Sequence, residues 1–251
     1  MKRVLLVSLV LAGALGAWAW VASLDSVDDL LVASPGETAE ALKDDRALLL
    51  DNAWVTLYEV LLGLAVSIAA GLLFAVAMHL NRTLREAAYP LLVASQAIPI
   101  VVLAPLFVLA FDYGIGPKVA IVALICFFPI TVNVLDGLRS VDPELRKLMR
   151  SLGASRLTTL RKVELPTSLP YFFSGLRVAA TVSVIGAVFG EWAGADEGLG
   201  RLVLLANNQL ETPRVYAGVV LLAAMAVLLF GLVVLAERLA SPARKTGRAS
   251  A

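Results

Sequence analysis

Six apolar stretches recur along this chain, at residues 4–21, 54–78, 90–111, 119–138, 171–190 and 216–235. Each lies near the roughly 20 residues that an α-helix needs to cross the hydrocarbon core of a bilayer. Backbone in lipid must satisfy its own hydrogen bonds, so this repeated length predicts an all-α membrane protein of six transmembrane helices. Composition agrees: 59% of the 251 residues are hydrophobic and 16% are charged, against the about 25% charged of an ordinary soluble domain. Lys2 and Arg3 open the first stretch, and Trp18 and Trp20 stand at its far end. Its length and those bulky interfacial rings predict an uncleaved helix over 1–22 rather than a removed leader.

The basic residues orient the six spans. With both termini on the cytoplasmic side, 15 of the 21 Lys and Arg residues fall inside and Lys43, Arg46, Lys118, Arg201 and Arg214 outside, with Arg177 at the start of span five. That asymmetry is the positive-inside bias of a multi-pass inner-membrane protein. The outer segment 23–53 is rich in carboxylates, among them Asp25, Asp28, Asp29, Glu40 and Asp51. Ser34-Pro35-Gly36-Glu37 spells a capping box with proline at the first helical position, so a short helix is predicted there through about Leu50. It reads as a solvated amphipathic helix or as a landing surface for a partner. The core then covers 54–239, and the small, polar, basic tail 240–251 is predicted to be disordered.

The longest polar connection, residues 140–170, is a structured loop between spans four and five. Asp142 can cap a helix beginning at Pro143, and Leu145, Leu148, Met149 and Leu152 then recur at the spacing of one apolar face. Gly153 stops that helix; Ser155, after Ala154, caps a second one that runs to Leu165 and ends at Pro166. A helix, glycine, helix element of this size cannot cross a bilayer, so it lies beside one and is built to be held by something else.

Several chemistries are excluded. The chain contains no Gly-Lys pair, hence no phosphate loop of its own. One histidine, His79, and one cysteine, Cys126, cannot build a metal centre in a single chain, and no Ser/His/Asp set is available, so neither a catalytic residue nor a cofactor is predicted. A net charge of +1 carries no nucleic-acid footprint; lipid is the expected surrounding. No internal repeat is evident, which counts against a secondary transporter built from symmetry-related halves.

Polar groups within spans are costly and therefore mark candidate sites. In span three, Gln96 precedes the helix-breaking Pro99, and Pro105 follows, which suits a wall that bends or lines a cavity; an interhelical hydrogen bond with ordinary kinks explains them too. In span four, Phe127, Phe128, Pro129 and Asn133 offer aromatic surface, a kink and an amide that can receive a flat, uncharged ring, although packing explains them nearly as well. In span five, Gly186 and Gly190 permit close helix approach, and Glu191 with Trp192 reads either as a gate at the outer mouth or as an interfacial anchor beside a solvated carboxylate. Glu59, one turn into span two, either snorkels to water or faces a central pathway. Spans two to four contain no Lys or Arg.

The loop resembles the coupling loop of ABC importer permeases, the binding-protein-dependent transport components of the inner membrane. That family writes E-A-A, three residues, Gly, nine residues, Ile, one residue, Leu-Pro. Gly153, Val163 and Leu165-Pro166 stand at the family spacing, while Lys147-Leu148-Met149 replaces E-A-A. The strings TLYEVLLG, SQAIPIVVLAPL, CFFPITVNVLDGLRSVDPEL and GEWAGADEGLG extend the likeness along the chain, and it is similar to the sulfonate, taurine, nitrate and thiamine-pyrimidine precursor group. SQAIPI and VIGAVFGEW are most similar to pyrimidine-precursor and riboflavin members. The resemblance implies a homodimeric pore, two cytoplasmic ATPase subunits gripping the helix around Gly153, and an extracytoplasmic solute-binding protein. An aliphatic sulfonate, taurine or nitrate is the alternative solute. The rival from another class is a proton-coupled carrier using Glu59, Asp136 or Glu191.

Overall fold

A computed structural model describes residues 2–24 and 31–240. Asp25, Asp28, Asp29 and the basic tail from 241 onward lie outside the described residues. Among the described residues the chain is helical throughout, with no strand. The apolar helix α1 (Lys2–Ala22) is tied to the rest by Trp18, whose Nε1 donates to Ala33 O at 2.9 Å and whose ring stacks on Tyr216 at 5.6 Å. α2 (Pro35–Asp44) begins at the capping box: Ser34 Oγ accepts from Glu37 N, and Glu37 Oε2 accepts from Ser34 N at 2.8 Å. The Ser34 N–H and hydroxyl hold the Glu37 carboxyl below its usual pKa, so it stays ionised at the positive end of the helix.

The predicted run of that helix to Leu50 is corrected. α2 stops at Asp44, and Arg46 already opens α3 (Arg46–Leu80), a 35-residue helix that carries span two well past the bilayer core. Span three is broken into α4 (Arg82–Ser95) and α5 (Ile100–Phe111), bent by 104°. Pro99 forces its predecessor out of the α region, and Gln96, Ala97 and Ile98 close α4 with tight turns onto the carbonyls three residues back. α6 (Ile115–Arg139) follows, then α7 (Pro143–Ser151) and the four-residue α8 (Arg156–Thr159).

A second correction concerns Pro166, which does not end a helix. α8 passes through a π-helical turn at Leu160–Glu164 straight into α9 (Leu165–Gly194), with Leu165 N donating to Leu160 O. The π turn inserts one residue where the proline ring would strike the carbonyl four residues back, so the clash is absorbed without a break. α10 (Leu199–Asn208) and α11 (Thr212–Ala240) complete the chain. Four helical runs are long and apolar enough to cross a membrane, namely α3, α6, Arg156–Gly194 and α11, and the bent α4–α5 pair makes a fifth candidate.

α6 lies between α3 and α9, α11 covers α9 and α10, and α5 leans on α6 and α9. In lipid, apolar helices gain little by hiding apolar surface from their surroundings, so association depends on close packing. α9 presents small residues to α6 along its length. A Cβ on Gly175 would meet Pro129 O at 2.6 Å, and one on Gly190 would meet Lys118 Cα at 3.0 Å. Val122, Cys126, Ile130, Val134, Ala179 and Ala187 fill the seam and are fully buried.

Candidate functional site

The helical core carries polar constellations at its two ends. At the loop end, Asp142 Oδ1 accepts from Glu144 N at 2.8 Å to start α7, and Gly153 leaves it at φ +74°, the left-handed conformation that a helix stop requires. Ser155 Oγ accepts from Thr158 N at 3.2 Å to start α8. The orientation of α7 is the reverse of a soluble surface helix. Leu145, Leu148 and Leu152 point outward, the last of them 72% exposed, with Met149 half-buried, while Arg146 reaches back to the body and the exposed Arg150 borders the cavity beneath. Leu157, Leu165 and Pro166 continue the exposed surface, and Ala154 is half-buried.

Beneath α7, Glu164 fastens the loop to the core. His79 Nε2 lies 2.8 Å from its Oε2 and Arg146 Nε 2.9 Å from its Oε1, the latter an ion contact without hydrogen-bond geometry. Arg146 also donates to Leu138 O at 2.7 Å, and Arg156 donates to Leu80 O, so two guanidiniums cap the last carbonyls of α6 and α3. The loop is thereby clamped to the ends of both helices.

At the opposite end, Glu59 and Glu191 come together, but neither is solvated. Glu59 is 2% and Glu191 0% exposed. Lys118, read from the sequence as a residue of the outer loop, falls within α6 and is buried; its Nζ donates to Glu59 Oε1 at 2.7 Å, leaving Glu59 Oε2 without a partner. The helix that carries span four thus begins before the apolar stretch and brings a cation with it. Glu191 instead organises the start of α10. Gly198 N–H is accepted by Asn52 Oδ1 at 2.7 Å, Leu199 N–H by Thr56 Oγ1 at 2.8 Å, and Gly200 and Arg201 N–H by Glu191 Oε2 at 2.5 and 3.1 Å. Side chains from α3 and α9 thus satisfy the four amides that a helix N-terminus leaves free. Gly198, at φ +119°, has no room for a side chain because a Cβ would collide with the Glu191 carboxyl. Trp192 Nε1 donates to Gly200 O at 2.9 Å, pinning the exposed indole to the same knot. Beside it a cavity of about 410 Å³ is lined by Trp54, Tyr58, Glu59 and Lys118.

The remaining predicted residues lie elsewhere. Gln96 and Pro99 sit exposed at the α4–α5 break. Phe128 is half-buried in α6 against the core, and Asn133 Nδ2 donates to Pro129 O in its own helix at 2.8 Å. Among the described residues no hydrogen bond or ion pair joins these four to the Glu59–Lys118–Glu191 group. Sequence reasoning missed the partners Lys118, Thr56, Asn52, His79 and Glu164. The available signal was positional: Lys118 opens one apolar stretch where Glu59 stands just inside another, and His79 closes the stretch that Glu164 must pack beside.

The model of a known family, the binding-protein-dependent transport system inner membrane component, matches residues 67–242, more than half of the chain. The formylaminopyrimidine transport permease protein ThiX of Halalkalibacterium halodurans is 43% identical over 190 residues, 76% of each chain. The taurine transport system permease protein TauC of Escherichia coli is 32% identical over 237 residues, 91% of this chain and 86% of that one. Among solved structures, an inward-facing MetNI methionine ABC transporter matches with a TM-score of 0.70 at 19% identity, covering 78% of this chain and 98% of that one. At that identity the likeness is one of fold.

Proposed function

Because the chain belongs to the family of binding-protein-dependent transport system inner membrane components, we propose that it forms the solute pathway of an ATP-driven importer as a homodimer. The chain is an ABC permease, a non-catalytic membrane subunit whose family works with an ATPase and a solute-binding protein. In the proposed arrangement α1, α3, α4–α5, α6, the α8–α9 run and α11 make six crossings, with both termini and α7 in the cytoplasm. Each of two ATPase subunits receives one α7. ATP-driven closure draws the two loops together, and the rigid link through Glu164 to α3 and α6 carries that motion to the pore.

The observation that carries this reading is the outward-facing leucine surface of α7, held on a clamped base. A helix whose apolar side has no partner in its own chain has a docking face to offer. Glu59 and Glu191 are engaged with Lys118 and with backbone amides, which favours a structural role for them over proton coupling.

For the solute, the reading is a small heteroaromatic such as a thiamine pyrimidine precursor, supported by the ThiX relative. The cavity beside the exposed rings of Trp54 and Tyr58 suits a flat ring that stacks on aromatic surface. The TauC relative supports the second reading, an aliphatic sulfonate. Reconstitution with the cognate ATPase and binding protein decides between them: ATP-dependent uptake of formylaminopyrimidine is expected, and uptake of taurine with no pyrimidine transport would overturn the assignment.

A further inference from the structure

The cavity under α7 holds more positive charge than the fold uses. It measures about 660 Å³, within the roughly 300–1,000 Å³ of small-ligand sites, and five arginines, His79 and a single carboxylate line it. Glu164 is consumed by His79 and Arg146, and Arg146 and Arg156 cap the ends of α6 and α3. That leaves Arg85 of α4, Arg139 of α6 and Arg150 of α7 with no hydrogen bond or ion pair among the described residues, all turned into one concavity. Three guanidiniums that border a common space, Arg85 half-buried and Arg139 and Arg150 exposed, suit an anion with several acceptor oxygens, which is the chemistry of a phosphate.

The walls indicate where that phosphate comes from. The cavity opens where α3 and α6 end and α4 begins, the level at which membrane helices meet the headgroup layer. Farther along these helices, Leu73 on α3 and Leu91 and Val93 on α4 are exposed, apolar side chains of the kind that acyl chains cover. A headgroup seated among the three arginines answers the charge at the level where the apolar, exposed surfaces of α3 and α4 begin. We propose that this cavity binds the phosphate headgroup of an anionic phospholipid and so ties the base of the coupling element to the membrane. The inner-leaflet location rests on the orientation proposed above, whereas the binding itself does not.

The test uses the full chain purified in detergent, titrated with phosphatidylglycerol or phosphatidylcholine and read by native mass spectrometry, alongside Arg85→Gln/Arg139→Gln. Both substitutions lie outside α7 and remove no bond. Preferential retention of phosphatidylglycerol by the wild type, falling about tenfold or more in the double variant at unchanged melting temperature, is expected. Equal retention of the two lipids, or an unchanged preference in the variant, would overturn the proposal. So would stabilisation by inorganic phosphate with no lipid retained, which assigns the site to a free anion. Loss of ATPase co-purification by the variant with lipid preference intact would assign the arginines to a partner's carboxylates instead. Because no arm measures uptake or sidedness, failure here leaves the permease reading standing, and failure of the permease reading would not alter the lipid result.

Discussion

A single backbone conformation at Gly153 sets the direction in which α7 leaves the loop. Its φ of +74° costs a β-branched residue about 1–2 kcal/mol, and no atom lies within 4 Å of where a Cβ would stand, so crowding within the chain adds nothing. Gly153→Val is therefore expected to insert and dimerise while losing uptake per unit of dimer, and Gly153→Asn, which tolerates that conformation, to retain it. Transport that tracks protein abundance alone would reduce Gly153 to a turn residue. At the other end, Lys118→Met strands the buried Glu59 carboxylate beside Glu191. Removing one partner of a buried pair costs about 3–5 kcal/mol, whereas replacing both is nearly neutral. Thermal unfolding in detergent should show a large loss for Lys118→Met and substantial recovery in Glu59→Gln/Lys118→Met; independent, additive effects would deny the coupling.

The element that matters most is the run from α7 through the π turn into α9. An exposed apolar face is a liability to a free subunit and an asset to a bound one, so its removal should separate folding from docking. Leu148→Asp/Leu152→Asp is expected to change stability by no more than about 0.5 kcal/mol per site, since both side chains are exposed. Co-purification with the ATPase should nonetheless be lost; retention of the ATPase by this variant would refute α7 as its contact. The π turn sets the azimuth of α8 relative to α9. Deleting exposed Arg161 restores ordinary helical register and rotates the loop by about 100°, one residue of a 3.6-residue turn. Membrane insertion should survive, and both the Glu164 clamp and ATP-driven uptake should fail.

For the whole molecule, the proposed six-span topology, drawn from the charge asymmetry, puts α2 and α7 on opposite sides of the membrane. Single cysteines at Asp44 and at Ser151, in a Cys126→Ala background, are expected to label from outside and inside respectively; labelling of both by an impermeant reagent on intact cells would refute the topology. The lipid-facing surface is extensive. α1 exposes Leu5, Leu6, Leu9 and Trp20, and α5 exposes Val101, Val102, Leu106 and Leu109.

Much of this was written locally. Long apolar stretches announce membrane helices because lipid leaves a backbone few options, and Ser34, Asp142, Gly153 and Ser155 acted as caps and stops because those roles depend on residues within one turn. The break after Gln96 was legible from Pro99, although its angle was not. Pro166 misled because a proline can be absorbed by a π turn when the packing around it favours a continuous helix. The pairings of Glu59 with Lys118, of Thr56 with the Leu199 amide and of His79 with Glu164 join residues dozens of positions apart, and the nearer contacts, Glu191 with the α10 amides and Arg146 with Glu164, still join different helices. Helical periodicity fixes which residues share a face but says nothing about which face meets which neighbour, so those contacts were decided only by the way α3, α6 and α9 pack.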